Sequence, residues 1–252
     1  MAPKDRPDPK LAAKTLAAPL RAALEHVFKQ GISGCMLVGG TALAGYYAAH
    51  RRSDDIDLFT DGPAGQEAAV LAAESLSGQG AQLERLQRSA QFYRAVCRWR
   101  GATFTIDVAQ HPGLFKPGAS FRLKNGVTVA ALETLLAMKT AALLSRCGEK
   151  DLYDMLWLLG RYKDLTLSKV LEIGAAVDAG VSPEGLLIAL TGSSPSLESC
   201  GFSKEIGVPS AQVHQEITSL RRMLLKELAG LAEKQKAPPI GELLGRIRRL
   251  AD

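Results

Sequence analysis

The chain has 252 residues, 46% hydrophobic and 23% charged, enough to bury a sizeable core in one large or two small domains. A net charge of +5 favours an anionic partner, while 6% aromatic content offers no evident stacking platform for single-stranded bases. The N-terminus lacks the apolar core of a signal peptide, and the run from Leu135 to Leu144 is broken by Lys139, so no membrane-spanning segment is expected.

Residues 1–10, with prolines among charges, read as a flexible arm. From Leu11 to Gln30, Leu16, Leu20, Leu24, Val27 and Phe28 keep helical spacing until Gly31. Cys35 to Val38 reads as a buried strand running into Gly39-Gly40, and Thr41 is placed to cap a helix from Ala42 to about Ala49. Asp55 to Phe59 is a second strand. A turn at Asp61-Gly62-Pro63 precedes a helix from Gln66 to Leu76. Strands follow at Gln82–Leu86, Phe92–Trp99 and Thr103–Val108, the last two forming a hairpin about Arg100-Gly101-Ala102. Helices around strands in this order imply an α/β (α+β) core with a mixed sheet.

The character changes after His111-Pro112-Gly113. Val127–Val129 leads into a helix from Ala131 to Ser145, and a second from Glu149 to Leu159 buries Leu152, Met155, Leu156 and Leu159. The remainder reads as helices broken by glycine and proline, with a loop at Thr191–Pro195 and a C-terminal arm carrying Leu243, Leu244, Ile247 and Leu250 beside Arg246, Arg248 and Arg249. The expected organisation is an arm (1–10), an α/β domain (11–126) and a helical domain (127–252). The cysteines, Cys35, Cys97, Cys147 and Cys200, are scattered without metal-ligand spacing, as buried thiols of a cytoplasmic protein would be.

Gly39, Gly40 and Thr41 follow a strand, where glycine permits close backbone approach to phosphate and a threonine can add a hydroxyl; a plain strand-to-helix turn is the alternative. In a strand, Asp55 and Asp57 project to one face, with Ile56 and Leu58 on the other. Two like charges side by side repel, and a cation between them relieves the repulsion. Ser53 is placed to orient Asp55, whereas Asp54 falls on the Ile56 side as a surface charge. Asp107, within Phe104–Val108, is a third candidate carboxylate. Three carboxylates from two neighbouring strands can hold two Mg²⁺ ions about 4 Å apart, the arrangement that serves in-line phosphoryl or nucleotidyl transfer.

Gly-Gly-Thr-Ala-Leu (39–43), then His-Arg-Arg-Ser-Asp-Asp-Ile-Asp-Leu-Phe (50–59), resembles the AbiEii/AbiGii toxin family of the DNA polymerase β-like nucleotidyltransferase superfamily. Leu135-Leu136-Ala137-Met138-Lys139, followed by Arg146 and Lys150-Asp151-Leu152-Tyr153-Asp154, is similar to that family's downstream signature. The resemblance implies a nucleotidyltransferase fold with a helical C-terminal domain. It makes Asp55, Asp57 and Asp107 metal ligands for Mg²⁺. It also assigns nucleotide phosphates to Gly39, Gly40, Thr41, Ser53, Lys139 and Arg146, and makes Asp151 a base or orienting group. An NTP would lie in a cleft between the two lobes, and an acceptor hydroxyl would attack its α-phosphate. The resemblance further implies a separately encoded antitoxin and an RNA acceptor such as a tRNA 3′ end.

Lys139 and Arg146, seven apart, share a helix face. Lys139 interrupts an apolar helix, as a phosphate ligand or by snorkelling. Lys150 and Asp154 have ion-pair spacing, and Arg146 with Asp151 could equally bridge two helices. Arg85, Arg88, Arg94, Arg98 and Arg100 offer either an RNA surface or ordinary solvent-facing strand positions. Arg51 and Arg52 either contact phosphate or solvate the loop, and His50 reads as structural. The rival functions are an antibiotic- or protein-modifying nucleotidyltransferase, a kinase-like use of the site, and a non-catalytic NTP- or RNA-binding module.

Overall fold

A computed structural model describes residues 6–233 and 238–248, with side chains to residue 245. Residues 1–5 of the expected arm, the side chains of Arg246, Ile247 and Arg248, and Arg249 and Leu250 lie outside the described residues.

Helix α1 (Pro9–Thr15) begins where the Asp8 carboxylate accepts the Lys10 N–H at 2.9 Å and Pro9 occupies the first turn. The Asp8 N–H also donates to the Tyr46 carbonyl at 2.7 Å, within the stretch expected as an arm. Helix α2 (Ala18–Lys29) is separate, although the apolar spacing predicts one helix over Leu11–Gln30. Pro19 is the reason: it has no N–H to donate and its ring would collide with the Thr15 carbonyl, so the chain leaves helical geometry at Leu16 and Ala17.

The sheet strands are β1 (Cys35–Leu37), β2 (Asp55–Thr60), β3 (Gln82–Arg88), β4 (Phe92–Trp99), β5 (Ala102–Gln110), β6 (Ser120–Arg122) and β7 (Thr128–Ala130). They order as β3-β4-β5-β2-β1-β7-β6. The β1–β7 and β2–β5 pairs are parallel and the others antiparallel, the mixed sheet that the sequence predicts. β4 and β5 form the expected hairpin. β6, only three residues long, carries too little alternation to be read from sequence.

Between β1 and β2 run α3 (Gly39–Leu43) and a π-helical turn over Ala44–Ala48. Helix α4 (Pro63–Glu74) packs on β2 and β5, with Ala69, Val70 and Ala73 buried. Ile56, Leu58, Ile106 and Val108 are almost wholly excluded from water. Each such side chain contributes about 1.5–3 kcal/mol of transfer free energy, which fixes which face of β2 points inward.

The helices that follow are α5 (Leu132–Ser145), α6 (Glu149–Arg161), α7 (Leu167–Ala175), α8 (Pro183–Gly192), α9 (Ser210–Ala232) and α10 (Ile240–Arg248). The chain forms two compact units, and the division falls within α5 between Leu135 and Leu136. That is later than the expected boundary at 126/127, because β7 completes the sheet before α5 starts. In the helical unit, α9 turns Val213, Ile217, Leu220, Leu224 and Leu228 inward and packs against α6 and α8. α6 buries Leu152, Met155, Leu158 and Leu159, whereas Leu156, expected in that stripe, is half-exposed.

Candidate active site

Strand alternation puts Asp55 and Asp57 on the face of β2 opposite Ile56 and Leu58, both carboxylates half-buried. The parallel register with β5 sets Thr105 beside Asp55 and Asp107 beside Asp57. Thr105 Oγ1 donates to Asp55 Oδ1 at 2.6 Å. The hydroxyl that orients the Asp55 carboxylate is therefore that of Thr105 and not, as expected, that of Ser53. Ser53 is buried and shares a 2.9 Å hydrogen bond with Thr41.

Thr41 does not cap a helix. α3 already begins at Gly39, and Thr41, fully buried, donates to the Asp55 carbonyl, tying α3 to β2. Gly39 has φ +69°, and a Cβ there would overlap the Asp57 carboxylate, with Asp57 Cγ only 2.8 Å away. A Cβ on Gly40 would overlap the Arg51 guanidinium, which is buried and donates to the Arg52 carbonyl at 2.8 Å. The two glycines thus let the backbone of α3 close over Asp57 on one side and Arg51 on the other.

Asp107 is engaged by Arg94 of β4, its cross-strand neighbour. Arg94 Nε donates to Oδ1 at 2.8 Å and Nη2 to Oδ2 at 2.5 Å, a bidentate pair. That bond holds the guanidinium above its ordinary pKa against the opposing effect of burial, and the charges of Asp107, Asp57 and Asp55 add to it. Among the described residues, no group of three or more His, Cys, Asp or Glu side chains is arranged to hold a metal ion. The expected third ligand faces a guanidinium. The two β2 carboxylates remain hard oxygen donors on one face, and this donor set suits Mg²⁺.

The family model for the nucleotidyl transferase AbiEii toxins, of the type IV toxin–antitoxin system, matches residues 22–186, well over half of the chain. The chain belongs to the AbiEii family. An uncharacterized protein of Aquifex aeolicus (strain VF5) is 32% identical over 146 residues, covering 56% of this chain and 65% of that one. The chain thus spans just under two thirds of that relative's length. The solved structure of JHP933 from Helicobacter pylori is similar with a TM-score of 0.53 at 16% identity, covering 85% of this chain and 92% of that one, a likeness of fold. MenT4, a nucleotidyltransferase toxin from Mycobacterium tuberculosis H37Rv, gives a TM-score of 0.46 at 15% identity over 90% of this chain and 91% of that one.

The second block by which the chain resembles the AbiEii family lies in the helical unit. Lys139 of α5 is buried, its ammonium 2.9 Å from Asp151 Oδ1 and 2.6 Å from Asp154 Oδ2. Arg146 donates to both oxygens of Asp151, at 2.7 and 3.0 Å. The shared face of Lys139 and Arg146 thus converges on Asp151, the interhelix bridge between α5 and α6, and Asp154 pairs with Lys139. Burial alone would raise the Asp151 carboxyl, but Lys139 and Arg146 hold it below its ordinary value. Lys139, expected to contact phosphate, lies here against two carboxylates. Arg146, 66% exposed, is the cation of this cluster that reaches solvent.

The arginines of the AbiEii chain's β3 and β4 have local neighbours. Arg85 pairs with Glu74 at 2.6 Å, Arg88 with Glu67 at 3.0 Å and Arg98 with Glu84 at 3.1 Å, while Arg100 lies over the Trp99 ring. By sequence alone Arg94 belongs with these arginines, and Thr105 carries no local mark of a site residue. Both share a sheet face with Asp107, by two-residue alternation for Thr105 and by hairpin register for Arg94, and that pairing is the signal that identifies them. All four cysteines are buried and free; burial pushes the thiols of Cys35 up to about 12 and Cys97 up to about 11. No helix among the described residues is long and apolar enough to cross a membrane.

Proposed function

We propose that this AbiEii family member transfers a nucleoside monophosphate from an NTP to an acceptor hydroxyl. The observation that carries the reading is the placement of Asp55, Asp57 and Asp107 on one sheet face, with the Gly39 backbone closed against Asp57. Asp55 and Asp57 are the residues that would hold Mg²⁺, which when bound neutralises charge developing on the triphosphate. Gly39 and Gly40 give phosphate access to the backbone, and Thr41 and Ser53 support that turn from beneath. Thr105 holds Asp55 in orientation. The acceptor oxygen bonds to the α-phosphorus as the bond to the bridging oxygen breaks; pyrophosphate leaves, and the hydroxyl proton passes to water.

In the helical unit, Arg146 is assigned as the group that meets phosphate, held by Asp151, which Lys139 anchors. A carboxylate pressed below its ordinary pKa by two cations is a weak proton acceptor, so Asp151 is read as an orienting group and not a base. The net charge of +5 favours an RNA acceptor, and a tRNA 3′ end is the proposed one. The family's type IV toxin–antitoxin system makes a separately encoded antitoxin the proposed partner. The buried free thiols suit work in a reducing cytoplasm.

The test is incubation of the chain with each α-labelled NTP and total cellular RNA, with and without Mg²⁺. Label on RNA, lost on chelation and in Asp55→Asn/Asp57→Asn, is the expected result. Label on protein or small molecules instead would replace the acceptor and keep the chemistry. Release of NDP would mark γ-phosphate transfer, and no labelled acceptor at all would overturn the reading.

A further inference from the structure

We infer that Arg94 is a built-in counter-ion for the third carboxylate, so that without nucleotide this site takes one divalent cation, at Asp55 and Asp57, and not two. The inference rests on the proposed metal-dependent reading and concerns the same site.

Asp57, Asp107 and Arg94 occupy consecutive cross-strand positions on β2, β5 and β4, so their side chains leave the sheet from the same face. A third carboxylate ligates a second cation only if an oxygen is turned toward the first two. Here both Asp107 oxygens are taken by the Arg94 fork, at 2.8 and 2.5 Å. A guanidinium presents two parallel N–H donors that match a carboxylate, which fixes the plane of Asp107 as well as its charge. Beside the pair of acids on β2, one fixed positive charge already reduces the repulsion that would draw in a second ion.

Arg94 is itself held in place. Its guanidinium carbon lies 5.3 Å from the Phe92 ring centroid, on the same strand and the same face. The alternate positions of β4 on that face are Phe92, Arg94, Val96 and Arg98. Arg98 is occupied with Glu84 of β3, so it does not compete for Asp107. The Arg94 side chain is 47% exposed and that of Asp107 16%. The acid is thus the enclosed member of the pair, and the base is the one a substitution can remove without opening the core. A lysine could neutralise Asp107 but could not fix its plane. Arg94 acts through Asp107, which makes it a positioning residue.

Mn²⁺ alone serves as the probe, with free ion read by electron paramagnetic resonance after equilibrium dialysis of the full chain. Wild type is expected to bind one Mn²⁺ per chain and Arg94→Gln two. Arg94→Gln/Asp107→Asn should return to one. A purely long-range effect of the arginine charge would instead tighten a single site whether or not Asp107 is present, and that result overturns the inference. So do two ions in wild type, or one ion in Arg94→Gln shown by circular dichroism to be folded; Arg94→Ala repeats the measurement if the glutamine variant is not. Asp55→Asn/Asp57→Asn separates the two levels. If it abolishes Mn²⁺ binding while Arg94→Gln stays at one ion, only the role of Arg94 falls. If it binds Mn²⁺ as wild type does, or if wild type binds none, the metal reading falls and the inference with it.

Discussion

Gly39 and Asp57 are packed so closely that the glycine hydrogen is the only substituent the carboxylate leaves room for: a Cβ would come within 2.8 Å of Asp57 Cγ and closer still to Oδ2. The backbone there is also left-handed, at φ +69°. Gly39→Ala therefore has to displace either α3 or the Asp57 carboxylate. The left-handed backbone alone costs about 1–2 kcal/mol of stability. A displacement of the order of 1 Å at a reacting centre costs about a hundredfold in rate. The expected outcome is a folded protein with a modestly lowered Tm and transfer from α-labelled NTP down by about two orders of magnitude. Wild-type transfer in Gly39→Ala would show that Asp57 is not where the reaction needs it.

Thr105 makes a narrower prediction. Its hydroxyl donates to one oxygen of Asp55, and the side chain is half-buried on the strand beside it. Thr105→Val keeps the shape and removes the donor, while Thr105→Ser keeps the donor. A hydrogen bond to a charged group contributes roughly 1.5–3 kcal/mol. Turnover in the valine variant should therefore fall by about tenfold or more and its Tm by a few degrees, with serine close to wild type in both. Equal rates in the two variants would remove Thr105 from the site.

The strands and their faces were legible because β2, β4 and β5 alternate plainly and are bounded by Gly and Pro turns. Asp55, Asp57 and Asp107 share a face for that reason alone. Which residues then touch them is a matter of register between strands far apart in sequence: Thr105 reaches Asp55 only because β5 pairs parallel with β2. Nearness in sequence points to Ser53, two positions ahead of Asp55 and outside β2, whereas the partner lies across the sheet on β5. Thr41 differs for a related reason: helix α3 starts at Gly39, three residues before the Ala42 start that a threonine cap predicts, and the hydroxyl turns to β2. Lys139 was correctly marked as an unusual charge in an apolar helix, but its partners lie on α6, whose packing no spacing rule fixes.

The cysteines predict chemistry at high pH. Burial raises the Cys35 thiol to about 12 and Cys97 to about 11, with the charge of Asp61 adding to the shift of Cys35. An unfolded thiol ionises near 8.5, so the unfolded chain loses protons first as pH rises. The stability contributed by keeping these thiols neutral is whole below about pH 8.5 and is lost progressively toward pH 11–12. At pH 8 the native protein should leave Ellman's reagent almost uncoloured over minutes, and all four thiols should react in guanidinium chloride. Rapid reaction of even one thiol in the folded protein would contradict the burial described.

The Lys139 cluster gives a prediction at the other end of the pH scale. Asp151 is held below its ordinary value by Lys139 and Arg146 despite its burial, so the folded state binds its proton more weakly than the unfolded chain does. Its contribution is therefore fully present above the ordinary aspartate range, near pH 4, and is lost as acid protonates the folded carboxylate at still lower pH. Lys139→Met removes the buried cation that Asp151 and Asp154 share, leaving Arg146 on Asp151 and two enclosed carboxylates without the charge between them. Removing one partner of a buried pair costs about 3–5 kcal/mol, so this variant should lose that much at pH 7 in urea unfolding. Without the Lys139 charge, Asp151 loses the largest of the attractions that hold its carboxyl down against burial, and Lys139→Met should regain stability relative to wild type as pH falls from 7 toward 4. Measuring the urea midpoint of both proteins across that range tests the arrangement. A constant gap between the two curves would mean that Lys139 supports α5 by packing, and that its charge does not answer those of Asp151 and Asp154.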